Sequence, residues 1–227
     1  MNLIRSLLFS LFFYPGTAVY VLGVILLSPF GDRTVRAIVH GWSDYHHWLV
    51  CNLLGIRMEF DGHVPEGAYL IAVKHEAMVE TIEGLRLART PVVVMKRELT
   101  QIPFFGWVTR RYGVIGVDRE AGAKALRTML AEAKKAAEQR RPVIIYPEGT
   151  RVPHGEKAEL KPGFAGLYRA HGLPVVPVAH DSGRLWSRGL IKKPGTIHFK
   201  VGDVIPSGLK REEIEARVRD AINVLND

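Results

Sequence analysis

A chain of 227 residues can hold one sizeable α/β domain and a smaller appendage. Its 47% hydrophobic and 24% charged residues exclude a disordered chain, and its single cysteine, Cys51, excludes an internal disulfide and a zinc site built from cysteines. The net charge of +8 favours anionic partners such as nucleic acid, lipid headgroups or phosphorylated substrates.

The N-terminal segment is the most hydrophobic part of the chain. No charged residue stands between Arg5 and Asp32, and the run 6–30 exceeds the roughly 20 apolar residues that a bilayer span needs. Pro15 and Gly16 interrupt this run, so it predicts either one kinked helix or two short helices that enter the membrane and return. No small-residue cleavage site follows it, which favours a retained membrane anchor over a removed signal peptide, and an uncleaved export signal is the alternative.

A second helix is predicted over residues 34–56, where apolar residues recur on one face. Trp42 and Trp48 suit a membrane interface, and packing of this helix on the soluble domain is the alternative. His46 and His47 are adjacent, so their rings are expected to point apart rather than to form a metal site.

From residue 57 onward, predicted strands alternate with predicted helices. The strands are expected at 57–61, 69–73, 91–95, 114–117, 143–146, 173–179 and 196–201, and the helices at 81–88, 121–140, 163–170 and 209–225. This alternation predicts an α/β fold with a largely parallel mixed sheet flanked by helices. The chain then divides into membrane-associated helices, residues 1–56, and an α/β domain, residues 57–227. Arg33 and Arg36 favour a cytoplasmic orientation of that domain at the inner membrane.

A candidate catalytic pair follows the second predicted strand. His75 stands at its carboxyl end, where reactive groups gather in α/β sheets, and Glu80 follows five positions later. In one straight helix the two residues would point about 140° apart, so we expect His75 in the strand-to-helix turn and Glu80 in the first turns of the helix. A histidine there can accept a proton while the carboxylate selects its tautomer. The alternative is a histidine and a surface glutamate that never meet.

Four further loops lie at or near predicted strand ends. They carry cations that can hold a phosphate, and a glycine that lets the backbone approach a ligand. The loops are 96–107, which ends in an exposed aromatic turn, 116–119, 146–151 and 176–179. Each loop alone is weak evidence, because charged loops are usually only solvated.

Together these segments resemble the glycerolipid acyltransferases, and most closely the bacterial 1-acyl-sn-glycerol-3-phosphate acyltransferases. The resemblance spans roughly residues 60–205. Its blocks, in the family's order, are His75-X4-Glu80, Val117-Asp118-Arg119, Tyr146-Pro147-Glu148-Gly149-Thr150-Arg151 and Val175-Val176-Pro177-Val178, with 96–107 similar to a further block.

The resemblance implies transfer of a fatty acyl group from acyl-CoA or acyl-carrier protein to the sn-2 hydroxyl of lysophosphatidic acid, giving phosphatidic acid in phospholipid biosynthesis. His75 would act as general base, oriented by Glu80, and the hydroxyl would attack the thioester directly. No metal, and no cofactor besides the acyl donor, is implied. The residues implied to hold the acceptor phosphate or to shape its pocket are Lys96, Arg119, Glu148, Gly149, Thr150, Arg151 and Pro177.

Position 80 departs from the family, which usually has aspartate there. Glutamate is one methylene longer but keeps the charge and the acceptor oxygens, and Glu83 is a fallback partner for His75. Two other functions remain open: transfer to another acceptor, such as glycerol 3-phosphate, a lyso-ornithine lipid or another lysophospholipid, and a non-enzymatic membrane-binding relative. Nucleic-acid binding rests on charge alone, because the basic residues are scattered and form no recognised motif.

Overall fold

The structure is a computed structural model that describes residues 1–118 and 122–226. Every predicted strand is present in it, with ends shifted by one or two residues. The strands are β1 Ile56–Asp61, β2 Leu70–Val73, β3 Val92–Lys96, β4 Ile115–Val117, β5 Val143–Ile145, β6 Val175–His180 and β7 Gly195–Val201.

These strands form one sheet in the order β1-β7-β6-β2-β5-β3-β4. Every neighbouring pair is parallel except β6 and β7, which confirms the predicted largely parallel mixed sheet. Strands β2, β5 and β6 consist almost entirely of buried apolar residues, as expected of parallel strands covered on both faces. The carboxyl ends of β2 to β6 therefore share one edge, where α/β folds place their ligands.

Helices cover both faces of the sheet. In the described residues they are α1 Asn2–Leu27, α2 Asp32–Leu49, α3 Val79–Leu87, α4 Phe105–Tyr112, α5 Gly122–Glu138, α6 Pro162–His171 and α7 Arg211–Ile222. One hydrophobic core lies between the sheet and α1 to α4, and a second lies between the sheet and α5 to α7. The predicted helix 121–140 corresponds to α5, and its predicted first residue lies outside the described residues.

Helix α4 is missing from the predictions, which interpret residues 102–107 as an exposed turn. Pro103 and Gly106 favour that interpretation. In the structure Gly106 lies inside α4 and packs against the preceding segment, where a Cβ would come 2.1 Å from the carbonyl oxygen of Thr100. This glycine is needed for close packing rather than for a turn. Phe104 and Trp107 are exposed, as expected.

Helix α1 is continuous and contains Pro15, so the alternative of two short helices is wrong. It is long and apolar enough to cross a membrane. One side buries Phe9, Phe13 and Val24 against the rest of the protein. The exposed side chains of this helix include Leu3, Ile4, Leu7, Leu8, Leu11, Phe12, Val19, Leu22 and Leu26. An attached helix with so apolar an outer side indicates membrane association.

Helix α2 runs back beside α1. The Tyr45 hydroxyl donates a hydrogen bond to the Phe12 carbonyl at 2.8 Å. Gly16 allows this approach, because a Cβ there would lie 2.4 Å from the Tyr45 ring. The predicted helix 34–56 corresponds to α2 and a π-helical turn, Val50–Leu54, that leads into β1.

The predicted boundary after residue 56 falls at the start of β1. Buried side chains of the N-terminal helices, such as Phe9 and Leu49, belong to the same hydrophobic cluster as Ile71 of β2 and Ile197 of β7. The helical segment and the sheet therefore share one core, and the division into two domains stays a prediction.

Candidate active site

His75 and Glu80 meet in the turn between β2 and α3. His75 Nδ1 lies 2.8 Å from Glu80 Oε1, and the backbone N–H groups of Glu76 and Ala77 donate to the same oxygen at 3.1 and 2.8 Å. The Glu80 side chain is fully buried, whereas the His75 side chain is 12% exposed. The predicted contact is thus present, and the turn itself supplies the backbone donors that hold the carboxylate.

The second oxygen of Glu80 is also held. Ser182, which follows β6, donates its hydroxyl to Glu80 Oε2 at 3.1 Å. Burial raises the pKa of Glu80, but the hydrogen bond from His75, the charges of His180 and His75 and the Ala77 N–H outweigh it and bring this pKa below its ordinary value. Because an ionised carboxylate only accepts, His75 must donate from Nδ1, which leaves Nε2 as the acceptor. The longer glutamate therefore reaches the histidine.

A buried ion pair supports the turn from below. Glu148 Oε1 accepts from Lys74 Nζ at 2.7 Å, and Glu148 Oε2 accepts from the His75 backbone N–H at 3.0 Å. Lys74 Nζ also donates to the Glu156 carbonyl and to Asn223 Oδ1, both at 2.9 Å, so all three ammonium protons are used. This complete pairing makes the burial of both charges tolerable. The Glu148 carboxylate thus positions the turn and does not face an open pocket.

Two further residues, to which the predictions give no role, hold His75 and the neighbouring strand end. The Tyr146 ring lies 4.5 Å from the His75 ring, and its hydroxyl donates to the Glu80 carbonyl at 3.3 Å. His180 Nε2 donates to the Lys74 carbonyl at 2.7 Å. Tyr146 directly follows β5, His180 ends β6 and Ser182 comes two residues later. Strands β5 and β6 lie on either side of β2. Position at a strand end is the sequence feature that could have identified them.

The predicted substrate residues after β5 lie close to the turn. Gly149 has a φ of 68°, and a Cβ there would come 2.8 Å from the Lys161 side chain. Thr150 and Arg151 are exposed. The next residue, Val152, donates its backbone N–H to the His75 carbonyl at 2.7 Å, which keeps Arg151 beside the histidine.

The other predicted substrate residues are more distant or fall outside the description. Lys96 ends β3, is exposed and forms an ion pair with Glu98 at 2.9 Å. Pro177 is buried within β6 opposite Ala72, three residues before the carboxyl end of that strand. Arg119 lies outside the described residues. The roles of all seven substrate residues stay predictions.

Two expectations about neighbouring residues are wrong. Glu83 is no fallback for His75, because its carboxylate is bound to His46 Nδ1 at 3.0 Å and to His47 Nδ1 at 2.9 Å. The adjacent rings of His46 and His47 therefore converge on one carboxylate instead of pointing apart. In the part of the chain that the structure describes, no group of three His, Cys, Asp or Glu residues is arranged to hold a metal ion.

Known proteins resemble this chain in sequence and in fold. The Acyltransferase family model matches residues 56–181. A 1-acyl-sn-glycerol-3-phosphate acyltransferase of Pseudomonas aeruginosa is 35% identical over 88% of this chain and 79% of the relative, and the human beta form is 26% identical over 91% and 79%. The crystal structure of the 1-acyl-sn-glycerophosphate acyltransferase PlsC from Thermotoga maritima superimposes with a TM-score of 0.79 at 21% identity, covering 100% of this chain and 97% of that one.

The chain belongs to the acyltransferase family. Its reaction class is therefore the transfer of an acyl group. The overall fold is that of the Thermotoga maritima crystal structure, including the N-terminal helices, since the match covers the whole chain.

Proposed function

We propose that the protein transfers a fatty acyl group from an acyl thioester, either acyl-CoA or acyl-carrier protein, to the sn-2 hydroxyl of lysophosphatidic acid, and so forms phosphatidic acid. The relative from Pseudomonas aeruginosa, a 1-acyl-sn-glycerol-3-phosphate acyltransferase by name, supports the choice of acceptor. The observation that carries the proposal is the contact between His75 and the buried Glu80 carboxylate.

The geometry of this pair suits a general base. His75 Nδ1 is hydrogen-bonded to Glu80, and no group of the described residues forms a hydrogen bond with His75 Nε2. Nε2 takes the proton of the acceptor hydroxyl while the hydroxyl oxygen attacks the thioester carbonyl. The tetrahedral intermediate then expels the thiolate, which takes the proton back from His75. The ionised Glu80 stabilises the transient imidazolium, and a positioned base of this kind contributes about 10²–10⁴-fold to the rate.

The acceptor must present its hydroxyl at the sheet edge with its phosphate held nearby. Arg151 is suited to this task, because it stands beside His75 and a guanidinium binds phosphate oxygens in pairs. Lys96 ends β3 at the same edge and is proposed to contribute charge from the other side of β2. Arg119 is proposed to share this role on the ground of the motif alone.

Membrane lipids are the proposed source of the acceptor. The outer side of α1 is apolar, while its inner side packs on the charged helix α2 and on the core. If α1 crossed the bilayer, the charged helix α2 that packs on it would also have to enter the membrane, which is costly. Helix α1 is therefore proposed to lie in one leaflet, with the active site at the membrane surface. Arg33 and Arg36 at the junction of the two helices support the cytoplasmic face of the inner membrane.

An acceptor and donor panel tests this function. Purified protein in neutral mixed micelles is assayed with acyl-CoA and with acyl-carrier protein against lysophosphatidic acid, glycerol 3-phosphate, a lyso-ornithine lipid and lysophosphatidylcholine. We expect the highest kcat/KM with lysophosphatidic acid. A higher kcat/KM with another acceptor would mean that this acceptor is the substrate instead. No transfer with any combination of donor and acceptor would favour a membrane-binding relative without activity.

A further inference from the structure

An open groove lies between α2 and the end of α3 that is remote from the catalytic turn. One face of α2 forms one wall of this groove, and the last turn of α3 with the segment before β3 forms the other. Most of the side chains that line it are charged or titratable: Arg33, Arg36, His40, Asp44, Arg86 and Arg89. We refer to this feature as the arginine groove.

Three arginines of the groove carry charge that no carboxylate balances. Arg33 and Arg89 are exposed, and Arg36 is half-buried. Among the residues that the structure describes, none of the three forms an ion pair, and Arg36 donates only to the neutral side chain of Gln139, at 3.1 Å. Like charges held together without a counterion repel each other, and a bound anion would relieve this repulsion.

A buried guanidinium adds positive charge from behind the groove. Arg141 is 5% exposed and donates to the carbonyls of Thr90 and Tyr112 at 2.9 and 3.0 Å. No carboxylate of the described part of the chain forms an ion pair with it. Its charge also reaches the groove itself, because the pKa of His40 is lowered by burial and, to a smaller extent, by Arg141. The groove therefore favours anions more strongly than its exposed arginines alone would.

The arginine groove and the catalytic turn lie at opposite ends of α3. Glu80 stands in the first turn of this helix, whereas Leu85, Arg86 and the residues after them line the groove. Nine helical residues span roughly 13 Å. The chain also leaves the groove toward the amino end of β3, while His75 lies at the carboxyl edge of the sheet. The groove is thus a separate site and no part of the pocket at His75.

Exposed apolar side chains precede the groove along the chain. Leu26 and Phe30, at the end of α1, are exposed, and Arg33 follows in the first turn of α2. Because the apolar outer side of α1 indicates membrane association, this junction lies where lipid headgroups meet acyl chains. Cations next to exposed apolar side chains suit a ligand that has both a phosphate and hydrocarbon chains. An acidic protein would match the charge but not the apolar neighbours.

We propose that the arginine groove binds the phosphate headgroup of an anionic membrane phospholipid, at a site distinct from that of the acceptor. A guanidinium binds phosphate oxygens in pairs, and three guanidinium groups of the groove have no competing carboxylate. A lipid bound there ties the junction of α1 and α2, together with the end of α3, to the headgroup layer. This inference does not depend on which acceptor the protein acylates.

Titration of the full-length protein with a short-chain phosphatidylglycerol in neutral mixed micelles, followed by calorimetry, tests the site. The groove variant carries three substitutions, Arg33→Gln, Arg36→Gln and Arg89→Gln. The control variant loses the same charge from exposed positions of α5 and α6, on the other face of the sheet, through Arg127→Gln, Lys134→Gln and Arg169→Gln.

The two variants should differ strongly in lipid affinity. At roughly a fivefold loss per cation at a lipid surface, the groove variant should bind about 100-fold more weakly than the wild type. The control variant should stay within about threefold, because salt screens distant surface charges. Circular dichroism checks that the variants are folded alike. An equal loss in both variants would show a general charge effect, and that result or an unchanged affinity of the groove variant would overturn the site.

Two further probes identify the occupant. Inorganic phosphate shares the headgroup's charge but has no hydrocarbon chains, so it should bind the wild type much more weakly than phosphatidylglycerol. Equally tight binding of phosphate would mean that the groove takes a soluble anion, which overturns the lipid. The same holds if the groove variant loses affinity for acyl-carrier protein but not for the lipid, since the occupant would then be an acidic protein.

A variant that should gain affinity excludes misfolding as the explanation. Asp44 lines the groove and forms an ion pair with Arg86. Asp44→Asn removes this carboxylate and frees the Arg86 charge, so it should strengthen phosphatidylglycerol binding about fivefold. The matched control, Asp203→Asn, removes an exposed carboxylate after β7 and should leave the affinity unchanged. An affinity of Asp44→Asn equal to or below that of the wild type would overturn the proposal.

Discussion

Helix α3 carries two glutamates, one turn apart, that each bind histidine, and the histidines differ in what their second ring nitrogen can reach. Glu80 holds His75 from the turn after β2, and Glu83 holds His46 and His47 from α2. His75 is partly exposed at the carboxyl edge of the sheet. His46 is fully buried, and its Nε2 has no partner.

The surroundings explain this difference. The His46 ring packs against Phe9, Phe13 and Trp186, so no substrate can approach its free nitrogen. The His75 ring is covered on one face by Tyr146 but lies where β2 ends and the chain turns away. The same pair of residue types thus joins two helices in one place and forms a candidate base in the other. His75 is the candidate base because its free ring nitrogen is accessible at a strand end, and not because of its contact with a glutamate.

Removing one histidine from each of the two glutamates should distinguish the two contacts most clearly. His75→Ala should lower kcat by about 10²–10⁴-fold, because the hydroxyl proton then has no positioned acceptor. His47→Ala removes a ring of the other pair and should leave kcat within a few-fold of wild type. Steady-state kinetics with matched protein folding, checked by circular dichroism, measures both. A comparable loss in the two variants would mean that His75 is only structural.

The carboxylates come next. Glu80→Gln should lower kcat about 10²-fold, since an amide can leave the imidazole in the wrong tautomer, while Glu80→Asp should keep much of the activity. Glu83→Gln should change kcat little. If Glu80→Asp loses as much activity as Glu80→Gln, an orienting role of the carboxylate is contradicted.

Ser182 tests how far the Glu80 carboxylate must be positioned. Ser182→Ala removes the donor to Oε2 and should lower kcat roughly three- to tenfold, the effect of about 1 kcal/mol for one hydrogen bond. The readout that distinguishes positioning from general stability is a double-mutant cycle. The Ser182→Ala loss should shrink in the Glu80→Asp background, where the shorter side chain no longer offers the same oxygen. Additive losses would show that Ser182 does not act through Glu80.

The smallest effect on activity is expected from the second pair, which should instead affect stability. Burial raises the pKa of Glu83, but the hydrogen bonds and charges of His46 and His47 outweigh it and lower this pKa below 4.5. A carboxyl group with a lowered pKa in the folded state contributes stability above its unfolded pKa and loses that contribution as the pH falls through the folded value. The free energy of unfolding of the wild type, measured with urea, should therefore fall from about pH 5 downward. The same free energy should depend less steeply on pH in the Glu83→Gln variant. An identical pH dependence of stability in the wild type and the Glu83→Gln variant would show that Glu83 does not contribute to the acid sensitivity.

Much of the fold follows from local patterns in the sequence. Apolar runs such as 69–73 and 143–146 define the strands, because a strand buried on both faces carries few polar side chains. The turn after β2 could also be predicted, since His75 and Glu80 can meet only if the chain bends between them. Helix α4 could not, because its glycine is required by packing against Thr100, a contact that composition does not reveal.

The sequence by itself determined the strands, the reactive turn and the family, since these depend on neighbours within a few residues and on motif order. The tertiary structure alone decided which side chains complete the site. Ser182 reaches Glu80 across 102 positions, and Lys74 reaches Asn223 across 149. It also brought the Arg188 side chain to the Arg151 carbonyl and placed Glu83 against His46 rather than against His75. Contacts of this kind arise from the order of strands in the sheet and from helix packing, which residue spacing along the chain does not encode.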